Sequence, residues 1–145
     1  MPTNRRTFCA TSAASLLAFL AAQESHAAEV GKPLDSFAKP FDSLTPKSTG
    51  SNTFRAICDG TTAVGARVEI HETTLAPGAE PHPAHRHKHE EFLLMVKGQV
   101  EITVDGQSST LGPGGCGFWK SMSLHHARNT GTEPAQYFIV SVGND

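Results

Sequence analysis

Residues 78–98 read Gly78-Ala79-Glu80-Pro81-His82-Pro83-Ala84-His85-Arg86-His87-Lys88-His89-Glu90-Glu91-Phe92-Leu93-Leu94-Met95-Val96-Lys97-Gly98. The eleven residues from Pro81 to Glu91 carry four histidines and two glutamates. They stand between a Pro77-Gly78 turn signal and an apolar run, Phe92 to Val96, that predicts a strand buried on both faces. On an extended backbone alternate side chains face the same way. His85 and His87 therefore point together, as do His89 and Glu91, and a turn between the pairs closes the four onto one point. The competing reading is a solvated His-rich loop that holds metal loosely. A remote partner favours the closed cluster: His125-His126 precedes Ala127-Arg128-Asn129 near the end of the chain.

Outward from this segment the chain reads as short strands. Phe54–Cys58 and Ala66–Leu75 precede it. Glu91–Lys97 ends at Gly98, and Gln99–Asp105 alternates, with Val100, Ile102 and Val104 on one face and Glu101, Thr103 and Asp105 on the other. Asp105-Gly106 is a strong hairpin signal. Ser108–Leu111, Cys116–Lys120 and Gln136–Val142 complete the set. No segment keeps a helical period, and turn signals recur every ~8–12 residues, which predicts a single all-β domain, a sandwich or barrel, over 53–145. Residues 28–52 contain Pro33, Pro40 and Pro46 and no sustained period. They read as an extended arm anchored by Phe37 and Phe41, or as a partly disordered tail.

The spacing Gly78, then His85-x-His87-x3-Glu91-x6-Gly98, resembles the first conserved motif of the cupin superfamily, with one extra residue between Gly78 and His85. The second motif maps onto Gly114-x5-Lys120-x-Met122-x2-His125-x3-Asn129, with Lys120 where the family has proline and Met122 where it has glycine. The resemblance spans roughly residues 66–142. It implies a double-stranded β-helix, the jelly-roll barrel of the cupins. It also implies that His85, His87, Glu91 and His125 ligate one divalent metal. Three imidazoles and a carboxylate with two open octahedral positions suit Fe2+ or Mn2+, with Zn2+, Ni2+ and Cu2+ also compatible. His89 and Glu90 are then expected at the rim or behind the ligands. His126 is expected to face away, His82 to stand near the mouth, and His71 to sit on a sheet face with Glu69 and Thr73.

Period-two alternation places Leu93 and Met95 on the same face as Glu91. Cys116, Phe118 and Lys120 share a face of their own strand. If that face looks inward, Met95, Phe118 and Lys120 line a substrate pocket, and Lys120 attracts an anionic substrate. If it looks outward, Lys120 is a solvated charge. Trp119, on the other face, is then a candidate subunit contact.

The 145 residues include 12 Lys+Arg, 14 Asp+Glu and 8 His, for a formal charge of −2, which argues against a basic nucleic-acid binder. Residues 1–27 read as an export signal cleaved after Ala27. Arg5-Arg6-Thr7-Phe8 resembles a twin-arginine start, and the uncharged stretch Cys9–Ala22 is shorter than the ~20 apolar residues of a membrane span. The destination is periplasmic or secreted. There Cys58 and Cys116 either pair or act as buried small hydrophobes. Three functional readings follow: a metal-dependent oxygenase of a small organic molecule, with Glu91 as a candidate base; a redox-neutral lyase or isomerase; and a non-catalytic binder of a small ligand. A homodimer is expected by analogy with cupins.

Overall fold

Alternating apolar residues build two antiparallel sheets that close on each other. The computed structural model describes residues 31–144, so the segment expected to be an export signal, residues 1–27, lies outside the described residues. The strands are β1 (Lys47–Thr49), β2 (Asn52–Thr61), β3 (Arg67–Leu75), β4 (Glu90–Lys97), β5 (Val100–Val104), β6 (Gln107–Leu111), β7 (Cys116–Trp119), β8 (His125–Asn129) and β9 (Ala135–Val142). A 3-10 turn at Phe41–Ser43 is the one helical element among the described residues. One sheet has the order β1-β2-β3-β9-β4-β7 and the other β6-β5-β8. This is the jelly-roll barrel.

The core forms where the inner faces meet. Leu75, Leu93, Met95, Trp119, Ala135, Tyr137 and Ile139 come from the large sheet, and Val100, Ile102 and Ala127 from the small one. The Val100–Ile102 alternation points inward as the pattern predicts, with Val104 packed against the same cluster. Asp105 and Gly106 both take positive φ, 47° and 85°, which joins β5 to β6 by the tight turn that Asp-Gly favours. Gly98 also has positive φ, and a Cβ there would lie 2.7 Å from both Ala135 Cα and the Pro134 carbonyl oxygen. Only glycine fits that crossing.

The β4 run is not buried on both faces. Leu93 and Met95 are buried, but Phe92, Leu94 and Val96 are 39%, 42% and 46% exposed. They point to the outside of the large sheet, where no further layer among the described residues covers them. The arm is held differently from expectation as well. Phe37 and Phe41 remain largely exposed, and Leu44 is the buried apolar residue of the segment. Backbone hydrogen bonds from Leu34 N to the Thr61 carbonyl and from Thr61 N to the Lys32 carbonyl tie the arm to the edge of β2. Phe41 is met by the Arg55 guanidinium, 4.9 Å above its ring. Arg55 in turn pairs at 2.7 Å with Glu72, which is fully buried and also accepts from Thr74 and Gln136.

The two cysteines of the barrel are unpaired: Cys58 is half-buried and Cys116 is exposed. Their strands, β2 and β7, lie four steps apart in the sheet, roughly 19 Å at ~4.8 Å per step, beyond disulfide reach. Among the described residues no helix is long and apolar enough to cross a membrane.

Candidate metal centre

The sequence distance between the histidine segment and His125 is closed by backbone pairing. His85 and His125 exchange N–H to carbonyl bonds at 3.1 Å each, as an isolated antiparallel bridge. One turn earlier, Met122 N donates to the His87 carbonyl at 2.8 Å. The start of β8 is thus stitched to the loop before β4, and the side chains follow. Ring centroids lie 5.1 Å apart for His85–His87, 4.7 Å for His85–His125 and 4.6 Å for His87–His125. One nitrogen from each of the three lies within 4.8 Å of the others, a set that could hold a metal ion.

The second nitrogens show how the rings are oriented. His87 Nδ1 donates to the His89 carbonyl at 2.8 Å, and His125 Nδ1 to the Ser123 carbonyl at 3.0 Å. A carbonyl only accepts, so each Nδ1 carries the proton and each Nε2 presents a lone pair. Those two Nε2 atoms and His85 Nδ1 are buried without a hydrogen-bond partner. Three orphaned imidazole nitrogens converging on one point fit a divalent cation, because a buried polar atom left unmatched is costly. Burial, followed by neighbouring imidazoles, holds His85 below the ordinary histidine pKa. For His125 burial outweighs the bond to Ser123, and its pKa is lowered too. Both rings favour the neutral form that a metal needs.

Glu91 joins them from β4, with Oε2 3.4 Å from His87 Nε2 and 3.8 Å from His125 Nε2. Burial pushes its pKa up, but hydrogen bonds and His87 outweigh this, so the net shift is downward. Trp119 Nε1 donates to Oε2 at 2.6 Å, Ser141 Oγ donates to Oε1 at 3.0 Å, and His89 Nε2 lies 3.1 Å from Oε1.

Trp119 and Ser141 are the residues that sequence reasoning missed. Glu91 pairs with both across antiparallel ladders, and paired residues face the same side. Trp119 therefore faces the interior, 3% exposed and stacked 5.0 Å from His125, and is not a subunit contact. By the same parity Cys116, Phe118 and Lys120 face outward and are exposed, so Phe118 and Lys120 do not line the pocket. Buried Gly117 occupies the inward position between Cys116 and Phe118, which hid the register. Met95 is inward but belongs to the core rather than the cavity wall. The signal available for Ser141 was a small polar residue on the inward series Ala135, Tyr137, Ile139.

A cavity of about 340 Å³ opens beside the cluster. Glu91, Leu93, Trp119, His125 and Tyr137 form part of its wall. Lys47 and Thr49 of β1 and His71 of β3 also line it, as does His82, whose ring centroid lies 4.2 Å from that of His85. Among the described residues, Lys47 is the one lysine or arginine on this wall. Around it, His89 stacks on His87 at 3.6 Å, Glu90 is exposed, and His126 turns away to pair with Glu80 at 2.6 Å.

Residues 71–141 match the type-2 Cupin domain family. The barrel has the cupin fold. Several solved cupin structures share its fold at low sequence identity. An RmlC-like cupin from Shewanella frigidimarina aligns with TM-score 0.63 and 16% identity, covering 76% of this chain and 93% of that one. KdgF from Halomonas sp. aligns with TM-score 0.65 and 14% identity, covering 77% and 97%. A cupin superfamily protein from Desulfitobacterium hafniense gives 0.59 and 17%, covering 81% and 100%. No curated protein sequence matches significantly. The cupin motifs explain two more residues. Asn129, fully buried, donates from Nδ2 to the Leu75 and Glu133 carbonyls and accepts from Gly131 N, so it is a brace rather than a ligand. Met122, where the family has glycine, takes φ 65°.

Proposed function

We propose that this cupin is an exported metalloprotein that holds one divalent cation between His85, His87, Glu91 and His125 and acts on a small organic molecule in the adjoining cavity. The observation that carries the reading is the set of three buried imidazole nitrogens that converge without hydrogen-bond partners. Glu91 supplies the anionic oxygen, held by Trp119 and Ser141. A cation there supplies Lewis acidity and open positions beside the cavity. Fe2+ and Mn2+ fit the mixed nitrogen and oxygen donors best. The cavity volume suits a small molecule, and Lys47, in place of Lys120, favours an anionic one.

Both an oxygenase and a redox-neutral lyase or isomerase fit this arrangement, and a non-catalytic binder would keep the same ligands. Elemental analysis of protein purified after export, beside a His85→Ala/His125→Ala variant, tests the site. Near-stoichiometric iron or manganese, lost in the variant, is the expected result. Absence of metal from the wild type sinks it. Oxygen uptake against a panel of small organic acids then separates the oxygenase from the other readings. Export is supported by Arg5-Arg6-Thr7-Phe8. The apolar outward face of β4 and β7 supports a homodimer.

A further inference from the structure

The cavity wall carries a titratable pair outside the cluster of candidate ligands. His71, on β3, lines the cavity, with its ring centroid 4.6 Å from that of Phe54. Its Nδ1 lies 2.9 and 3.0 Å from the two oxygens of Glu69. An ionised carboxylate only accepts hydrogen bonds, so Nδ1 carries the proton and Nε2 presents a lone pair. Both hydrogen bonds of His71 go through Nδ1, and none of the described hydrogen bonds reaches Nε2. The side chain keeps 18% of its surface exposed and lines the cavity. Ser141 Oγ lies 3.4 Å from Glu69 and 3.0 Å from Glu91, and so sets this pair in register with the candidate metal centre.

We propose that His71 is a proton-transferring catalytic residue of this cavity and that Glu69 is its positioning residue. The inference rests on the metal-dependent reading of the site and narrows it to redox-neutral chemistry on small organic acids. His71 Nε2 takes a proton from an acidic C–H of the bound molecule, and the bonding pair stays on the substrate as an enolate. Glu69 balances the imidazolium through the Nδ1–H bond. Return of the proton to the same carbon is a reversible exchange, and departure of a β-hydroxyl group, which takes the proton from His71 Nε2 and leaves as water, completes an elimination. No oxidant or reductant enters either balance.

The test uses the full chain loaded with Zn2+, a diamagnetic occupant. Long-range 1H–15N NMR reads the His71 tautomer, and the proton is expected on Nδ1 with Nε2 bare. A His71 with its proton on Nε2 overturns the proposal. Incubation with a panel of 2-oxo and 3-hydroxy carboxylic acids in D2O, read by NMR, reports solvent deuterium entering C–H positions. Exchange by the wild type is expected to fall by about 10²–10⁴-fold in His71→Ala, the scale of a lost general base, and to recover with added imidazole. Glu69→Gln is expected to slow exchange and to shift its pH profile. Exchange unchanged in His71→Ala, or absent from the wild type on every acid, overturns the assignment. Zn2+ stoichiometry is measured in parallel and should be equal in wild type and His71→Ala. Failure of the wild type to bind metal sinks the metal reading, whereas the tautomer and exchange results judge His71.

Discussion

Met122 holds a left-handed backbone, φ 65°, in a turn closed by Ser123 N on the Lys120 carbonyl. A side chain in that region costs about 1–2 kcal/mol, and glycine avoids most of it. Met122→Gly is therefore expected to raise thermal stability by about 1 kcal/mol or less, a gain of a few degrees in Tm, read by calorimetry with metal content unchanged. A fall in Tm would show that the methionine side chain, half exposed, contributes more than its backbone strain costs. Trp119 was misplaced by alternation alone. Its register became legible only through the Glu91–Trp119 pairing, which no local pattern encodes. Trp119→Phe keeps the ring and removes the N–H that fixes Glu91. It is expected to weaken metal affinity about 10–100-fold with the fold intact, measured by competition with a chelator. Unchanged affinity would make the Trp119 bond structural only.

At the scale of the element, β8 is held at both ends. Asn129 closes its far end with three hydrogen bonds in a fully buried site. Asn129→Ala leaves the Leu75 and Glu133 carbonyls and the Gly131 N–H unmatched. It is expected to cost about 3 kcal/mol in denaturant unfolding, since each stranded group costs ~1–3 kcal/mol less what water recovers. A loss below ~1 kcal/mol would mean that water replaces the amide. The near end is joined to the β5–β6 turn: Asp105 Oδ1 accepts from Leu124 N at 2.9 Å. That bond, aided by Ser123 and by the positive charge of Arg86 and Lys120, outweighs slight burial and holds the Asp105 carboxyl below its ordinary range. A carboxylate with a depressed folded pKa stabilises the fold above its unfolded value and loses that effect as pH falls through the folded one. Asp105→Asn keeps the acceptor and the turn preference but removes the charge. Its unfolding free energy is expected to fall less steeply than wild type between pH ~5 and ~2, and identical slopes would exclude Asp105 as a contributor.

At the scale of the whole molecule, the large sheet buries one face in the barrel and leaves the other apolar. Phe92 and Phe118 are cross-strand partners with ring centroids 4.8 Å apart, and Leu94 and Val96 extend the patch along β4. A contiguous apolar face of this kind marks an interaction site more often than bare solvent. Phe118→Asp places a charge in its middle, on the face of the sheet opposite the inward-facing cluster. Light scattering is expected to show a dimer for wild type and a monomer for the variant, with metal content equal in both. A wild type that is monomeric at high concentration removes the dimer reading.

The all-β class was legible in the sequence through period-two alternation and the Asp105-Gly106 turn, whereas the jelly-roll barrel and the candidate ligands His85, His87, Glu91 and His125 were implied by the resemblance of two short motifs to those of the cupins. The β4 run misled because a continuous apolar string does not say whether a second layer covers its outer face. Phe118 and Lys120 were misassigned because strand parity is set by pairing with β4, many residues away in sequence. The supports of Glu91 and the placement of Lys47 on the cavity wall belong to side chains that meet only when β1, β7 and β9 are brought beside β4, whereas Glu69 and His71 already share a face of β3 by alternation. Local sequence determines which residues can ligate, turn or alternate; hydrogen-bonded register between distant strands decides which of them share a site.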